Sequence, residues 1–175
     1  MFKFIFISLL IGSTSYGKNS PATVTLPPEA HQTLTKWNSK FKAFNDKDYS
    51  QAILDLFEKN EHPSILSADL NNDKIDDFVV LGQDNKKQFV IALINEKNKW
   101  IAVEVTSWSE KKKKKTEITN PTTNKKEITV PIYISIAKDG LAEKIKPNKA
   151  IQVERYLAQP ELFEIKNNKA IELTL

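Results

Sequence analysis

From Glu29 onward the chain changes hydrophobic rhythm once. Leu34, Trp37, Phe41 and Phe44 follow one another at steps of three and four, the helical period, which predicts a helix from Glu29 with one aromatic-rich face. Pro28 stands where the first turn of a helix tolerates proline. Asn45-Asp46-Lys47-Asp48 reads as a turn, with Asp48 as the N-cap of a second helix over residues 49–59. That helix would bury Ile53, Leu56 and Phe57, with Ala52 alongside, and Pro63 ends the helical region.

After Ser64 the period shortens to that of strands. Residues 65–70 and 77–82 are apolar runs on either side of an acidic stretch. Residues 89–95 and 100–108 follow, separated by polar turns at 83–87 and 96–99. Short strands with four- or five-residue polar turns argue for an antiparallel meander. Residues 109–126 carry the lysine run 111–115 and then Thr, Asn, Pro and Lys. They read as a mobile, solvated loop, the usual state of a block of like charges. Residues 128–136 resume strand character, with Pro131 marking a sheet edge. Asp139-Gly140 is a turn signal, residues 141–149 fit no single pattern, and Pro147 marks a break. Residues 150–156, 161–166 and 170–173 are closing strands, with Asn167-Asn168 as the last hairpin turn. The expectation is an α+β fold, an N-terminal helical hairpin packed on an antiparallel β-meander sheet of about six to eight strands. Its divisions are a signal peptide at 1–17, an extended leader at 18–28 and a single α+β domain at 29–175.

One stretch combines residue type and spacing into a specific chemistry. Asp69-Leu70-Asn71-Asn72-Asp73-Lys74-Ile75-Asp76-Asp77 places four carboxylates and two carboxamides in nine residues. A hard cation such as calcium takes about six to eight oxygen ligands from carboxylates, amides, backbone carbonyls and water. Side chains at positions 1, 3 and 5 of a tight loop point to one centre, and position 7 offers its carbonyl. Those positions hold Asp69, Asn71, Asp73 and Ile75, and Asp77 can close the cage from the outgoing strand. Asp76 points away from that set. An EF-hand needs Gly at position 6 and Glu at position 12, where this chain has Lys74 and Val80, so an EF-hand is excluded. The same residues also suit a polar hairpin turn, with Lys74 as the local counter-charge. The residues by themselves leave cation site and bare turn both open.

The loop of Asp69, Asn71, Asp73 and Asp77, running into Phe78-Val79-Val80, resembles the calcium loop of FG-GAP and VCBS-type repeats. There the loop joins two strands of a β-propeller blade. The resemblance implies one calcium ion held mainly for structure, in a short exported bacterial protein of unassigned activity. Those repeats carry Gly where Lys74 stands, because the backbone there favours a left-handed conformation. The match occurs once, so it does not imply a whole propeller.

Lys3, the apolar run 4–11 and the small residues around Ser15-Tyr16-Gly17 make a secretory leader, with cleavage expected before Lys18. The run is too short to span a bilayer, which needs about 20 residues. The expected destination is the periplasm or the medium. There are no cysteines, so no disulfide supports the fold. The net charge of +4 is weak support for a nucleic-acid partner, because Arg155 is the only arginine among 26 basic residues. Bidentate recognition of phosphate and bases favours arginine. An envelope or extracellular protein, or a polyanionic envelope component, is the expected partner.

The motifs of catalysis are missing. His31 and His62 are the only histidines, neither beside a recognisable nucleophile, and both read as surface or boundary residues. Four scattered glycines form no phosphate loop. The aspartates at 69, 73 and 77 are too clustered and hydrophilic for the paired carboxylates of glycoside hydrolysis. The expected function is a non-catalytic binding or structural module with one calcium-type loop. Two alternatives stand beside it: a hydrolase with a structural calcium, and an enzyme inhibitor acting through an exposed loop such as 109–126.

Overall fold

A computed structural model of the chain describes residues 25–58, 60–97, 99–109, 115–137, 150–155 and 158–174. The expected leader at 1–17, lysines 111–114 and the turn at Asp139-Gly140 lie outside these residues.

The architecture corrects the α+β expectation. Among the described residues the protein is mostly β, with one substantial helix and no helical hairpin. Helix α1 (Pro28–Trp37) begins with proline in its first turn and stops seven residues before the periodic stripe does. Asn38 is extended at φ −152°, its Oδ1 accepts the Lys40 N–H, and its amide donates to Asp84 at 3.1 Å. The chain then turns, so Phe41 and Phe44 do not continue one face. Phe41 folds back onto Trp37 and Phe89, with ring centroids 5.9 and 6.3 Å apart, while Phe44 enters a different core.

The expected second helix shrinks to one turn, α2 (Gln51–Leu54). Asp48 does not cap it. Asp48 instead closes a short 3-10 turn, Asp46–Asp48, accepting the Asn45 N–H while the Asn45 side chain caps the same turn. Leu56, placed in the core by helical spacing, is 64% exposed.

The strands are β1 (Lys42–Ala43), β2 (Ile65–Ala68), β3 (Asp77–Gln83), β4 (Lys87–Glu96) and β5 (Lys99–Ser109). They continue with β6 (Thr116–Thr119), β7 (Lys126–Thr129), β8 (Ile132–Ile136), β9 (Ala150–Arg155), β10 (Glu161–Lys166) and β11 (Lys169–Leu173). All pairings are antiparallel. The first sheet runs β3-β4-β5, with β1 and β2 sharing the free edge of β3: β2 pairs with residues 77–80, and β1 with Gly82 and Gln83. The second sheet runs β11-β10-β9-β8. The expected solvated loop becomes, from Thr116 onward, the β6–β7 hairpin. Pro131 then separates β7 from β8, so residues 128–136 serve two sheets instead of one.

The two sheets pack face to face. Val79, Leu81, Val90, Ala92, Ile94, Val103 and Val105 from the first meet Ile132, Ile134, Ile151, Val153, Phe163 and Ile165 from the second. The other face of the first sheet, through Val80, Phe89, Ile91 and Leu93, is covered by Ala30 and Leu34 of α1. A register shift at Val90/Ile91 leaves Val105 as an extra residue in β5. The bulge changes the phase of the strand and turns Trp108 toward the inter-sheet core. There its indole N–H donates to the buried Gln88 at 2.8 Å, and the Arg155 guanidinium stacks 4.7 Å over its ring. Arg155 also forks onto Glu161, at 2.7 and 3.3 Å. The single arginine thus joins the two sheets.

At Gly82 the backbone of β1 approaches so closely that a Cβ would run into the Lys42 carbonyl and lie 2.5 Å from the Phe41 ring. Gly82→Ala is expected to cost about 2–3 kcal/mol through overpacking, read as a lowered urea midpoint at unchanged slope.

Candidate functional site

The 69–77 stretch is a compact loop between β2 and β3. Its acidic side chains first serve the loop's own backbone. Asp69 Oδ1 accepts the N–H groups of Asn72 and Asp73 at 2.7 and 3.1 Å, and Oδ2 accepts Lys74 N–H at 3.0 Å. Asn71 Oδ1 accepts Asp73 N–H, and Asp73 Oδ1 accepts Ile75 N–H at 2.8 Å. The Asn71 amide donates to Asp73 Oδ2 at 3.1 Å. These bonds curl the chain around the side chains at 69, 71 and 73, which the sequence spacing placed together. Asn72 and Lys74 adopt left-handed backbone, φ 70° and 69°. The conformation at Lys74 is the one glycine would adopt without strain.

Asp77 is used differently. It is fully buried, with Oδ2 accepting Leu70 N–H at 2.9 Å and Oδ1 accepting Asn95 N–H at 2.8 Å. It staples the start of the loop to β4. Burial pushes its carboxyl above the ordinary aspartate range; the two backbone bonds work against that, and the charges of Asp73 and Asp69 add to it. Among the described residues, no three His, Cys, Asp or Glu side chains converge as a ready metal-holding group. Asp77 therefore stands behind the loop as a backbone acceptor, and Asp76 is exposed at its side. Asn71 and Asp73 open onto a polar depression of about 440 Å³, completed by Glu96, Lys97, Asn167 and Asn168. Asn168 donates to Glu96 at 2.9 Å.

His31 is exposed on α1, as its position suggested. His62 is not a surface residue: it is 5% exposed in a linear array with Asp46 and Ser64. His62 Nε2 lies 2.8 Å from Asp46 Oδ1. Its Nδ1 accepts Ser64 N–H at 3.1 Å and lies 2.8 Å from Ser64 Oγ, which donates to Phe44 C=O at 2.7 Å. Because Nδ1 accepts a backbone N–H, Nε2 carries the proton and donates to Asp46. The order Asp–His–Ser imitates a nucleophilic triad but is inverted in exposure. Asp46 is half exposed, while Ser64 is fully buried and has committed its proton to a carbonyl. No substrate carbonyl reaches such a serine. The array locks the chain into β2. Sequence spacing could not show it, since Asp46 is 16 residues from His62 and nothing local marks the pair.

His62 also borders a cleft of about 780 Å³ between β2 and β8, which holds Tyr133, Ser135 and Glu154. Tyr133 O–H and Ser135 O–H both donate to the Glu154 carboxylate, at 2.9 and 3.1 Å. Burial, and then Glu154, push the Tyr133 phenol up to about 12. None of these residues carries a motif.

No family model matches the chain, and neither a curated protein nor a solved structure is significantly similar to it. Among the described residues no helix is long and apolar enough to cross a membrane.

Asp77→Ala is expected to cost about 2–4 kcal/mol, because it removes the buried carboxylate that accepts the Leu70 and Asn95 N–H groups. Asp77→Asn gives the pH test. A carboxyl raised on folding contributes most stability below its unfolded value and loses it as pH rises through its folded value. The stability of the wild type relative to Asp77→Asn should therefore fall as pH rises through and above the ordinary aspartate value of about 4, measured by urea denaturation at a series of pH values.

Proposed function

We propose that the protein is an exported, non-catalytic binding or structural module whose 69–77 loop takes one calcium ion. Asp69, Asn71, Asp73 and the Ile75 carbonyl are the ligands in this reading, with the remaining lone pairs of Asp77 behind them. One observation carries it: four aspartates share the loop, yet among the described residues no lysine or arginine amine forms an ion pair with any of them. Like charges held this close repel one another unless a cation enters. Each backbone N–H occupies only one lone pair of the oxygen it meets, so the loop oxygens keep acceptor capacity. The hard, all-oxygen donor set suits calcium.

Export rests on the leader pattern at 1–17. The partner in this reading is an envelope or extracellular protein, or a polyanionic envelope component, in keeping with the net charge of +4.

A thermal melt of the chain in excess EDTA and in about 1 mM calcium tests the loop. At a dissociation constant near 10⁻⁴ M, as in extracellular calcium modules, linkage gives about 1.4 kcal/mol of stabilisation. That corresponds to about 4 °C for a chain of this size. The shift should vanish in Asp73→Ala. A wild type that melts at the same temperature in both buffers would make the stretch a polar turn.

A further inference from the structure

The cleft between β2 and β8 has a feature that most ligand pockets lack: each wall is an unpaired strand edge. Among the described residues β2 forms a ladder only with β3, beyond a single His62–Ile65 bridge, and β8 only with β9. Leu81 N–H donates to Ser64 C=O at 2.8 Å. By the alternation of an antiparallel ladder, Leu66 and Ala68 then bond inward, and Ser67 directs its N–H and C=O away from β3. On the other wall, Ala137 N–H donates to Ala150 C=O, so Ile136 directs its N–H and C=O away from β9. The two edges are tied at one end, where Ile134 N–H donates to Pro63 C=O at 2.9 Å. Beyond that tie the walls leave the cleft open, and neither Ser67 nor Ile136 has a backbone partner there among the described residues.

The described lining otherwise combines apolar side chains, neutral polar ones and two carboxylates. Phe57, Leu66 and Ile136 form its greasy part, and the largely exposed Leu56 stands among the lining residues. Among the described lining residues the carboxylates are Glu61 and Glu154, and both ring nitrogens of His62 are engaged, Nε2 with Asp46 and Nδ1 with Ser64. Among the described residues no lysine or arginine lines it, in a chain where these outnumber the acids 26 to 22.

We propose that this cleft binds an extended peptide segment of a partner protein, which adds as a strand to the open edge of β2 or β8. Its apolar side chains meet Leu56, Phe57 and Leu66, and a basic residue meets Glu154 or Glu61. Main-chain hydrogen bonds supply affinity in this mode, and the alternating side chains supply selectivity. Exposed edges that lack charged guards invite such pairing. The cleft volume falls within the range of sites that enclose a short ligand. The proposal is independent of the cation loop.

The probe is a blocked octapeptide of alternating valine and lysine, titrated into the full chain in EDTA, with a valine–glutamate octapeptide for comparison. Amide resonances report the location. Binding of the lysine peptide should perturb the amides of Ser67 and Ile136, with the glutamate peptide at least about tenfold weaker, the loss of one charge-assisted contact. Ser67→Pro removes the outward N–H at an exposed edge position and should weaken binding. Glu154→Gln removes the charge while keeping one acceptor oxygen for Tyr133 or Ser135, and should weaken the lysine peptide by about tenfold. Equal affinity for the two peptides, perturbation confined to other strands, or unaltered binding by both variants would overturn the proposal. So would concentration-dependent self-association that perturbs the same amides without peptide, which would make the cleft an interface between copies of this chain.

Discussion

Strand β4 has no solvated side along its middle: from Gln88 to Ile94 every residue is buried, so the first sheet has to be covered on both faces. Val90, Ala92 and Ile94 face the second sheet, while Phe89, Ile91 and Leu93 face α1. Each fully buried side chain of this size contributes about 1.5–3 kcal/mol. With no cysteines in the chain, this double burial is what a disulfide would otherwise reinforce. The three-layer order follows from it: a helix, a sheet, and a second sheet. The bulge at Val105 then brings Trp108 inward to satisfy Gln88, a buried polar side chain that would be costly unpaired.

Polar residues inside the protein mostly hold backbone in place. Asp77 anchors the loop start and β4, and His62 with Ser64 fixes the entry into β2. Asp77 opens β3, and His62 with Ser64 precedes the four-residue β2, whose hairpin bonds alone are too few to set the chain direction. Electrostatics of this kind act as joints, which explains why a histidine–serine contact of 2.8 Å serves geometry instead of chemistry. The shortness of β2, four residues, has a further consequence. It covers only part of the β3 edge, turns its own outer edge toward β8, and so opens the cleft between the sheets.

Much of the strand order was legible in the sequence. Strands β2 to β5 and β9 to β11 begin and end near where polar turns interrupt apolar runs, because a turn must solvate its backbone whatever the tertiary context. Asn167 and Asn168 both take left-handed backbone, as a two-residue hairpin turn requires. The gathering of Asp69, Asn71 and Asp73 was also readable, since a tight loop brings alternate side chains together without help from elsewhere. The helices were misread for the opposite reason. Leu34, Trp37, Phe41 and Phe44 share a spacing, but Phe44 is buried between the sheets while Leu34, on α1, packs against the far side of the first sheet.

The sequence by itself determined the local events: where strands break, which loop is acidic, and where proline ends a run. Only the tertiary structure decided which face each apolar residue serves, and that His62 is buried against Asp46. It alone brought the edges of β2 and β8 together, and used Asp77 to anchor backbone. Those outcomes depend on contacts between residues far apart in the chain, and periodicity records only the side a residue faces, never what lies opposite.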